Sequence, residues 1–216
     1  MDIHTMSARG RKPAPRWERR KEDRPGELLS AALELFVERG YSATRLEDIA
    51  QRAGVSKGTL YLYFETKEEL LKAVVRQALL PAIVQGEKLV DEFPGSAADL
   101  IRTIISGWWK TIGTTPAGGI PKLMIAEAGN FPKLARFYFD EVIERGRRMF
   151  ARALKKGMDS GEFRKMNLDY AVQVTLAPIV FLAIWQYSFQ KMDPKRLDPQ
   201  KYLDHCMSVL LEGLTQ

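Results

Sequence analysis

The sequence predicts an all-α protein. Apolar residues recur with a period of 3.6 along almost the whole chain, whereas the alternation typical of strands is nearly absent. Glycine and proline residues interrupt this periodicity and mark the helix ends. The predicted helices cover residues 25–39, 46–53, 57–64, 67–91 with a break or kink at Pro81, 97–112, 121–129, 133–160, 168–191 and 199–214.

Composition narrows the classes of function. The chain has 216 residues and a single cysteine, Cys206, so an internal disulfide is excluded and a cytoplasmic location is expected. Its two histidines, His4 and His205, lie at opposite ends, which leaves little for metal binding or histidine-based catalysis. We therefore expect no cofactor, no metal and no enzymatic activity. The apolar stretch 174–185 is far shorter than the roughly 20 residues that span a bilayer, so a buried helix is expected.

The first 24 residues form a basic segment. They contain eight Lys or Arg and four Asp or Glu, and they hold most of the net charge of +6. This stretch is interpreted as a flexible arm. A positive charge of this size suggests an anionic partner, although many proteins without one share it.

Local signals define the helices that follow the arm. Pro25 suits the first position of a helix that Gly40 ends, and the inward face of this helix is predicted to be Leu29, Ala32, Leu33 and Phe36. Two capping boxes are predicted, one from Thr44 to Glu47 and one from Thr66 to Glu69. Between them, Gly54 ends one short helix and Ser56 caps the next.

Two short helices joined by Gly54-Val55-Ser56 have the spacing of a helix-turn-helix. The outward face of the second helix is predicted to combine a cation, hydroxyls, aromatic rings and a glycine, which suits phosphates and base edges of DNA. The alternative is a helical corner in a bundle, and two exposed phenols argue against it. The residues of this face are Lys57, Gly58, Thr59, Tyr61, Leu62 and Tyr63.

The run from Leu46 to Phe64, followed by Lys67 to Leu71, resembles the TetR family of transcriptional regulators. The resemblance implies a three-helix DNA-binding domain over residues 25–70 and a larger helical ligand-binding and dimerisation domain over 71–216. It implies phosphate contacts for Thr44, Ser56, Thr59, Tyr63 and Lys67. It also implies contacts with bases or the adjacent backbone for Lys57, Gly58 and Tyr61, and an apolar contact or none for Leu62.

Residues 125–134, with Phe137 and Tyr138, resemble a C-terminal domain of one subset of the family, which includes regulators of multidrug efflux and of catabolic genes. In the family, a cavity in this domain binds a small inducer. Any single aromatic residue here is more readily explained as plain core than as cavity wall. The candidate cavity residues are Trp108, Met124, Glu127, Phe139 and Trp185.

The last two predicted helices have wide apolar faces, which on a monomer would be exposed. By resemblance to the family, they pair with the same helices of a second copy, and this symmetry fits a palindromic operator. The predicted interface residues are Val172, Leu176, Ile179, Val180, Leu203, Met207 and Leu210.

These features favour a dimeric repressor that binds double-stranded operator DNA and is released by a small-molecule inducer, with no membrane partner. Efflux or catabolic genes are its expected targets. The alternative is a DNA-binding regulator without an inducer, whose C-terminal domain serves only dimerisation. An all-helical enzyme is a distant third, because no histidine, cysteine or glycine-rich phosphate loop is placed for catalysis.

Overall fold

The computed structural model describes residues 16–215, with side chains from Arg24 onward. This part of the chain is helical, and the bridge between Phe163 and Thr215 is its only β pairing. The α-helices are α1 (Arg16–Arg39), α2 (Leu46–Arg52), α3 (Lys57–Tyr61), α4 (Lys67–Glu92), α5 (Ala97–Trp108), α6 (Ile120–Glu127), α7 (Pro132–Tyr138), α8 (Glu144–Asp159), α9 (Leu168–Ser188) and α10 (Pro199–Leu214). Three short segments of other helix types are Trp109–Gly113 (π), Pro116–Gly119 (3₁₀) and Phe139–Ile143 (π).

Helix α1 begins earlier than predicted. It starts at Arg16 and carries Pro25 inside, so the predicted start at Pro25 is wrong. A proline suits a first turn but can also be accommodated within a helix at the loss of one hydrogen bond. The segment 16–24 therefore belongs to α1, and the first fifteen residues of the predicted arm lie outside the described residues.

The buried face of α1 is rotated from the predicted one. Ala32 and Phe36 are buried as predicted, whereas Leu29 and Leu33 are only half-buried. Leu28 and Leu35 are fully buried instead. The sequence offers leucines at both sets of positions, so the periodicity alone does not choose between them.

Glycines end two helices as predicted. Gly40 after α1 and Gly54 after α2 have φ values of +86° and +66°, a left-handed conformation that side chains with a Cβ rarely adopt. Ser56 caps α3 by accepting a hydrogen bond from the backbone N–H of Thr59. Thr66 caps α4 in the same way, bonding to the N–H of Glu69.

Helix α4 joins the two halves of the chain. It runs without interruption through Pro81, which was predicted to break or kink it. Its first half is buried in a core that also contains α1 to α3 and parts of α6 and α7. Its last turns belong to a second core, formed with α5, α8, α9 and α10. The predicted division at residue 70 thus falls within one helix, and both cores contact that helix.

Helix α9 is long and apolar enough to span a membrane, and it is the only such helix in the described part of the chain. Its mean hydropathy is 1.6 over an 18-residue window, of which 28% is buried within the protomer. One face packs into the bundle through Val172, Thr175, Ile179 and Leu182. A buried core helix passes the same test of length and composition, so this helix is weak evidence for a membrane.

Candidate nucleic-acid interface and ligand cavity

The turn between α2 and α3 fixes the angle of α3. The N–H of Val55 donates to the carbonyl of Ala50 at 2.9 Å, and Gly54 provides the left-handed turn. Ile49 and Leu60 are fully buried between the two helices and α1. Because these contacts fix the inner face of α3 against α1 and α2, the opposite face of α3 is directed to solvent.

Most of that outer face is exposed as predicted, but Thr59 is half-buried and Tyr63 is half-buried against the first core. Ser56, Lys57 and Gly58 are exposed, and Tyr61 is 41% exposed. Leu62, directly after α3, is 83% exposed, the highest value among the large apolar side chains of the described residues. An apolar side chain that packs against nothing is suited to an apolar contact with a partner such as a thymine methyl group.

Lys57 already has a partner within the protein. It forms an ion pair with Glu47 of α2, and its Nζ lies 5.7 Å from the centre of the Tyr61 ring. The hydrogen bond from Lys57 lowers the pKa of Glu47, and the same bond raises the pKa of Lys57. Both groups are therefore charged at neutral pH, and a phosphate that binds Lys57 must compete with this carboxylate.

Two of the side chains predicted to contact phosphates, those of Thr44 and Lys67, are directed into the protein. The side chain of Thr44 is buried, and its hydroxyl donates to the carbonyl of Gly40 at 2.7 Å or of Leu35 at 3.2 Å. The predicted capping box fails for the same reason, and Arg45 occupies the N-cap position of α2. A short hydroxyl side chain is equally able to cap a helix or to bond backward to a carbonyl.

The ammonium group of Lys67 is likewise directed inward. Its Nζ lies 2.7 to 3.3 Å from three carbonyl oxygens of the α1–α2 turn and 4.4 Å from the centre of the Tyr41 ring. Desolvation by burial lowers the pKa of Lys67. Lys67 therefore ties the turn to α4, and its three donors are directed to protein carbonyls rather than to a phosphate.

Arg45 is a candidate contact that the sequence analysis missed. Its side chain is exposed beside Thr44, and it forms no ion pair with the described residues. Two neighbouring arginines do form ion pairs: Arg39 with Asp48, and Arg52 with Glu34 and Glu38. The sequence does carry a signal for this residue, because Arg45 is the one basic residue within the predicted capping box from Thr44 to Glu47.

A ligand-sized cavity lies where the first and second cores meet. Its volume is about 190 Å³, and its wall is formed by helices α4 to α9 and the π segment after α7. Trp108 lines it, as predicted. The other principal wall residues are Ile104, Tyr138, Val142, Met149 and Ile179.

The other four predicted cavity residues do not line this cavity. Met124 is buried in the first core, and the carboxylate of Glu127 accepts hydrogen bonds from the backbone and hydroxyl of Ser42 at 3.3 Å each. Phe139 packs between the guanidinium groups of Arg136 and Arg147. Trp185 stacks on Phe181 with 5.7 Å between ring centres.

The local register of the helices accounts for three of these four differences, those at Met124, Glu127 and Phe139. On α6, Pro121 and Ile125 face the cavity, and Met124 and Glu127 point toward the DNA-binding half. A π turn begins at Phe139, so the register of the following residues departs from a 3.6-residue repeat. Tyr138, which precedes the turn, lines the cavity in place of Phe139.

The seven predicted dimer-interface residues occupy different places in the protomer. Val172, Ile179, Leu203 and Met207 are buried within their own chain, and Leu176 and Val180 line the cavity. Val180 is also 38% exposed, and Leu210 borders an apolar groove on the outer surface of α9 and α10. The exposed apolar side chains of these helices are Tyr170, Val174, Val180, Phe181 and Val209.

The sequence matches two family profiles. Residues 28–74 match "Bacterial regulatory proteins, tetR family". Residues 102–211 match "AefR-like transcriptional repressor, C-terminal domain". The first match contains the helix-turn-helix, and the second contains most of the cavity wall.

Curated relatives and solved structures agree with these matches. The transcriptional activator FasR of Mycolicibacterium smegmatis is 44% identical, but the match spans only 34% of this chain and 36% of FasR. The transcriptional repressor KstR2 of Mycobacterium tuberculosis is 30% identical over 65% of this chain and 70% of its own length. The structure of FadR from Bacillus subtilis, in complex with stearoyl-CoA, matches with a TM-score of 0.73 and 22% identity, covering 88% of this chain and 98% of FadR.

The sequence comparisons and the structural comparisons thus agree on one architecture over nearly the whole described chain. An N-terminal helix-turn-helix is followed by a larger helical domain, as the sequence predicted. The chain belongs to the TetR family of transcriptional regulators.

Proposed function

We propose that this chain is a dimeric repressor that binds a palindromic operator through α3 and leaves it when a small apolar or amphipathic molecule fills the cavity. One contact carries this proposal. Met149 lines the cavity, and its Sδ lies so close to α4 that a Cβ on Gly86 would be 2.5 Å from it. Because α4 begins in the first core beside the α1–α2 turn, one helix contacts both the ligand site and the DNA-binding half.

Ion pairs strengthen the link between α4 and the cavity wall. Arg145 of α8 donates two hydrogen bonds to Glu87 of α4, at 3.0 and 2.6 Å. Arg76 of α4 binds Glu141 at 2.5 Å. These arginines lower the pKa of Glu87 and of Glu141, so both carboxylates stay charged at neutral pH. A displacement of α8 by a ligand is therefore transmitted to α4.

A second link runs through α6. Ile125 of this helix lines the cavity, and Glu127, two residues later, holds the backbone N–H of Ser42 in the α1–α2 turn. Phe131 packs edge-on against Tyr41 of the same turn, with 4.7 Å between ring centres. The turn leads directly into α2, so this contact supports a role for α6 in setting the position of the helix-turn-helix.

Dimerisation is proposed from the outer face of α9 and α10. Helix α9 is apolar on all sides, a pattern typical of a helix that is buried all round. Val174, Phe181 and Val209 are exposed on the protomer, and a second copy of the chain is the partner that a two-fold operator requires. We propose this face, rather than the predicted one, as the dimer interface of a cytoplasmic regulator.

The relatives support the apolar nature of the ligand and define the main alternative. FadR was solved with stearoyl-CoA, and KstR2 is named a repressor. FasR is named an activator, and its match is confined to about a third of each chain. Repression of transport or catabolic genes is therefore our proposal, and activation is the competing outcome.

The test is to isolate the operator. Genomic fragments retained by the purified full-length protein are footprinted, and we expect a two-fold symmetric site whose half-sites lie one helical turn or a multiple apart. A reporter driven by the adjacent promoter should fall when the protein is expressed. A reporter that rises would show an activator, and an asymmetric footprint with one protomer bound would contradict the dimeric arrangement.

A further inference from the structure

Tyr138 carries the only hydroxyl group on the cavity wall, and that group has no hydrogen-bond partner in the described part of the chain. The residue is only 8% exposed and lines the cavity. No hydrogen bond from its hydroxyl is formed to any described residue, and burial alone raises the pKa of this phenol. In the described residues, the fully buried side-chain atoms without a partner are Trp185 Nε1 and Gln186 Oε1. The Tyr138 hydroxyl is not one of them, so it stays accessible and is free to donate to a bound molecule.

The remainder of the wall carries no charge. All fourteen residues that line the cavity are uncharged, and besides Tyr138 only Trp108 has a polar side-chain atom. An ionised group placed inside would lose its hydration without gaining a counter-charge. The part of the ligand that enters this cavity must therefore be neutral.

The cavity also limits ligand size. Its volume of about 190 Å³ is slightly larger than the roughly 150 Å³ of an apolar protein cavity that binds benzene. On the same scale, a molecule of about eight non-hydrogen atoms fits this volume. An acyl chain of the length found in stearoyl-CoA has about twice as many atoms and would have to extend past Ile125 and Val180 at the exposed rim.

We infer that the ligand is a neutral molecule of about eight non-hydrogen atoms, mostly hydrocarbon, with one oxygen that accepts a hydrogen bond from Tyr138. Medium-chain ketones, aldehydes and esters belong to this class. The inference rests on the proposed function, because it takes the cavity to be the regulatory site. It goes further by assigning the specificity of that site to one hydroxyl group.

The test compares two molecules of the same shape. 2-Octanone has nine non-hydrogen atoms, and 2-methyl-1-octene replaces its carbonyl oxygen with a CH₂ group. Calorimetric titration of the full chain gives the ratio of their dissociation constants for the wild type and for Tyr138→Phe. We expect the substitution to shift this ratio about 10-fold against the ketone, because one hydrogen bond is lost. Tyr202→Phe, which removes a hydroxyl outside the cavity, should leave the ratio unchanged.

A measurement on the wild type gives the same information without a variant. The carbonyl stretching band of bound 2-octanone should move to lower wavenumber than in hexane, as expected for an accepted hydrogen bond. An unshifted band, or an unchanged ratio in Tyr138→Phe, would overturn the role of the hydroxyl. Ionised octanoate or stearoyl-CoA binding more tightly than 2-octanone would overturn the ligand class.

Operator release separates this inference from the proposed function. If stearoyl-CoA releases the operator and 2-octanone does not, ligand control stands and the inferred ligand class is wrong. If none of the four compounds binds, while the operator is still bound, the inference falls and DNA binding remains.

Discussion

At the scale of single residues, the outward face of α3 is the part of the molecule most directly open to test. Tyr61 is 41% exposed and belongs to no buried cluster. Tyr61→Ala should weaken binding to the operator by about 1–3 kcal/mol, as expected for loss of a side chain that contacts DNA. The melting temperature should hardly change. A strong fall in melting temperature with unchanged operator affinity would show that Tyr61 faces the protein interior.

Glu47 gives a second prediction on the same surface, with the opposite sign. Its carboxylate pairs with Lys57, and its lowered pKa keeps it charged at neutral pH. Glu47→Gln should raise affinity for DNA by about 2- to 5-fold at low salt, because Lys57 is freed and a negative charge near the phosphates is removed. The gain should shrink at higher salt, in fluorescence anisotropy titrations. Glu92→Gln, at the far end of α4, is the matched control and should change nothing. Weaker binding of Glu47→Gln would show that Glu47 positions Lys57 rather than competing for it.

At the scale of helices, the close approach of α4 and α8 at Gly86 leads to a prediction about the cavity. A Cβ at Gly86 would lie 2.5 Å from the Sδ of Met149, so the flexible methionine must move into the cavity that it lines. Gly86→Ala should therefore weaken ligand binding, and a loss of about 10-fold corresponds to 1.4 kcal/mol. Gly107→Ala in α5 is the matched control, since a Cβ there meets nothing within 4 Å.

The two variants should also differ in stability. Gly107→Ala should raise the free energy of unfolding by up to about 1 kcal/mol through helix propensity alone. In Gly86→Ala, that gain is offset by the displaced methionine. Both effects are measured by urea unfolding followed by circular dichroism. Unchanged ligand affinity in Gly86→Ala would show that Met149 can move without narrowing the site.

Helices also show how far the sequence could predict this structure. The helix-turn-helix follows from short-range signals in the sequence. The left-handed turn at Gly54, the cap at Ser56 and the burial of Ile49 and Leu60 are all confirmed. The faces of α9 could not be predicted, because a helix that is apolar all round has no periodicity to distinguish core, cavity and interface. The cavity residues after Tyr138 were obscured by a π turn, which no sequence pattern indicated.

At the scale of the whole molecule, the exposed groove of α9 and α10 predicts how the protein assembles. Val174 and Val209 are 58% and 59% exposed and border the same groove. Val174→Glu combined with Val209→Glu should split the dimer, because four charges would meet at an apolar interface. Operator affinity should fall with it, since each monomer loses the second half-site. Sedimentation measures the dissociation of the dimer, and fluorescence anisotropy measures the operator affinity.

Val84→Glu, exposed on α4, is the matched control and should remain dimeric. Native protein that sediments as a monomer at micromolar concentration would contradict this interface.

Control of DNA binding is the property that depends on every part of the molecule at once. A ligand changes operator affinity only if it binds the DNA-bound and free conformations with different affinities. A coupling of about 1–3 kcal/mol would change operator affinity by about 5- to 150-fold.

Thermodynamic linkage requires the operator to weaken ligand binding by the same factor. The affinity for 2-octanone is measured by calorimetry with and without operator, and the affinity for operator is measured with and without saturating 2-octanone. We expect the two affinities to fall by the same factor. A DNA duplex of scrambled sequence is the control and should leave ligand affinity unchanged. If the ligand binds equally well with and without operator, the contacts of α4 with Met149 and of α6 with the α1–α2 turn do not carry a signal. The chain would then be a DNA-binding dimer that does not sense this ligand.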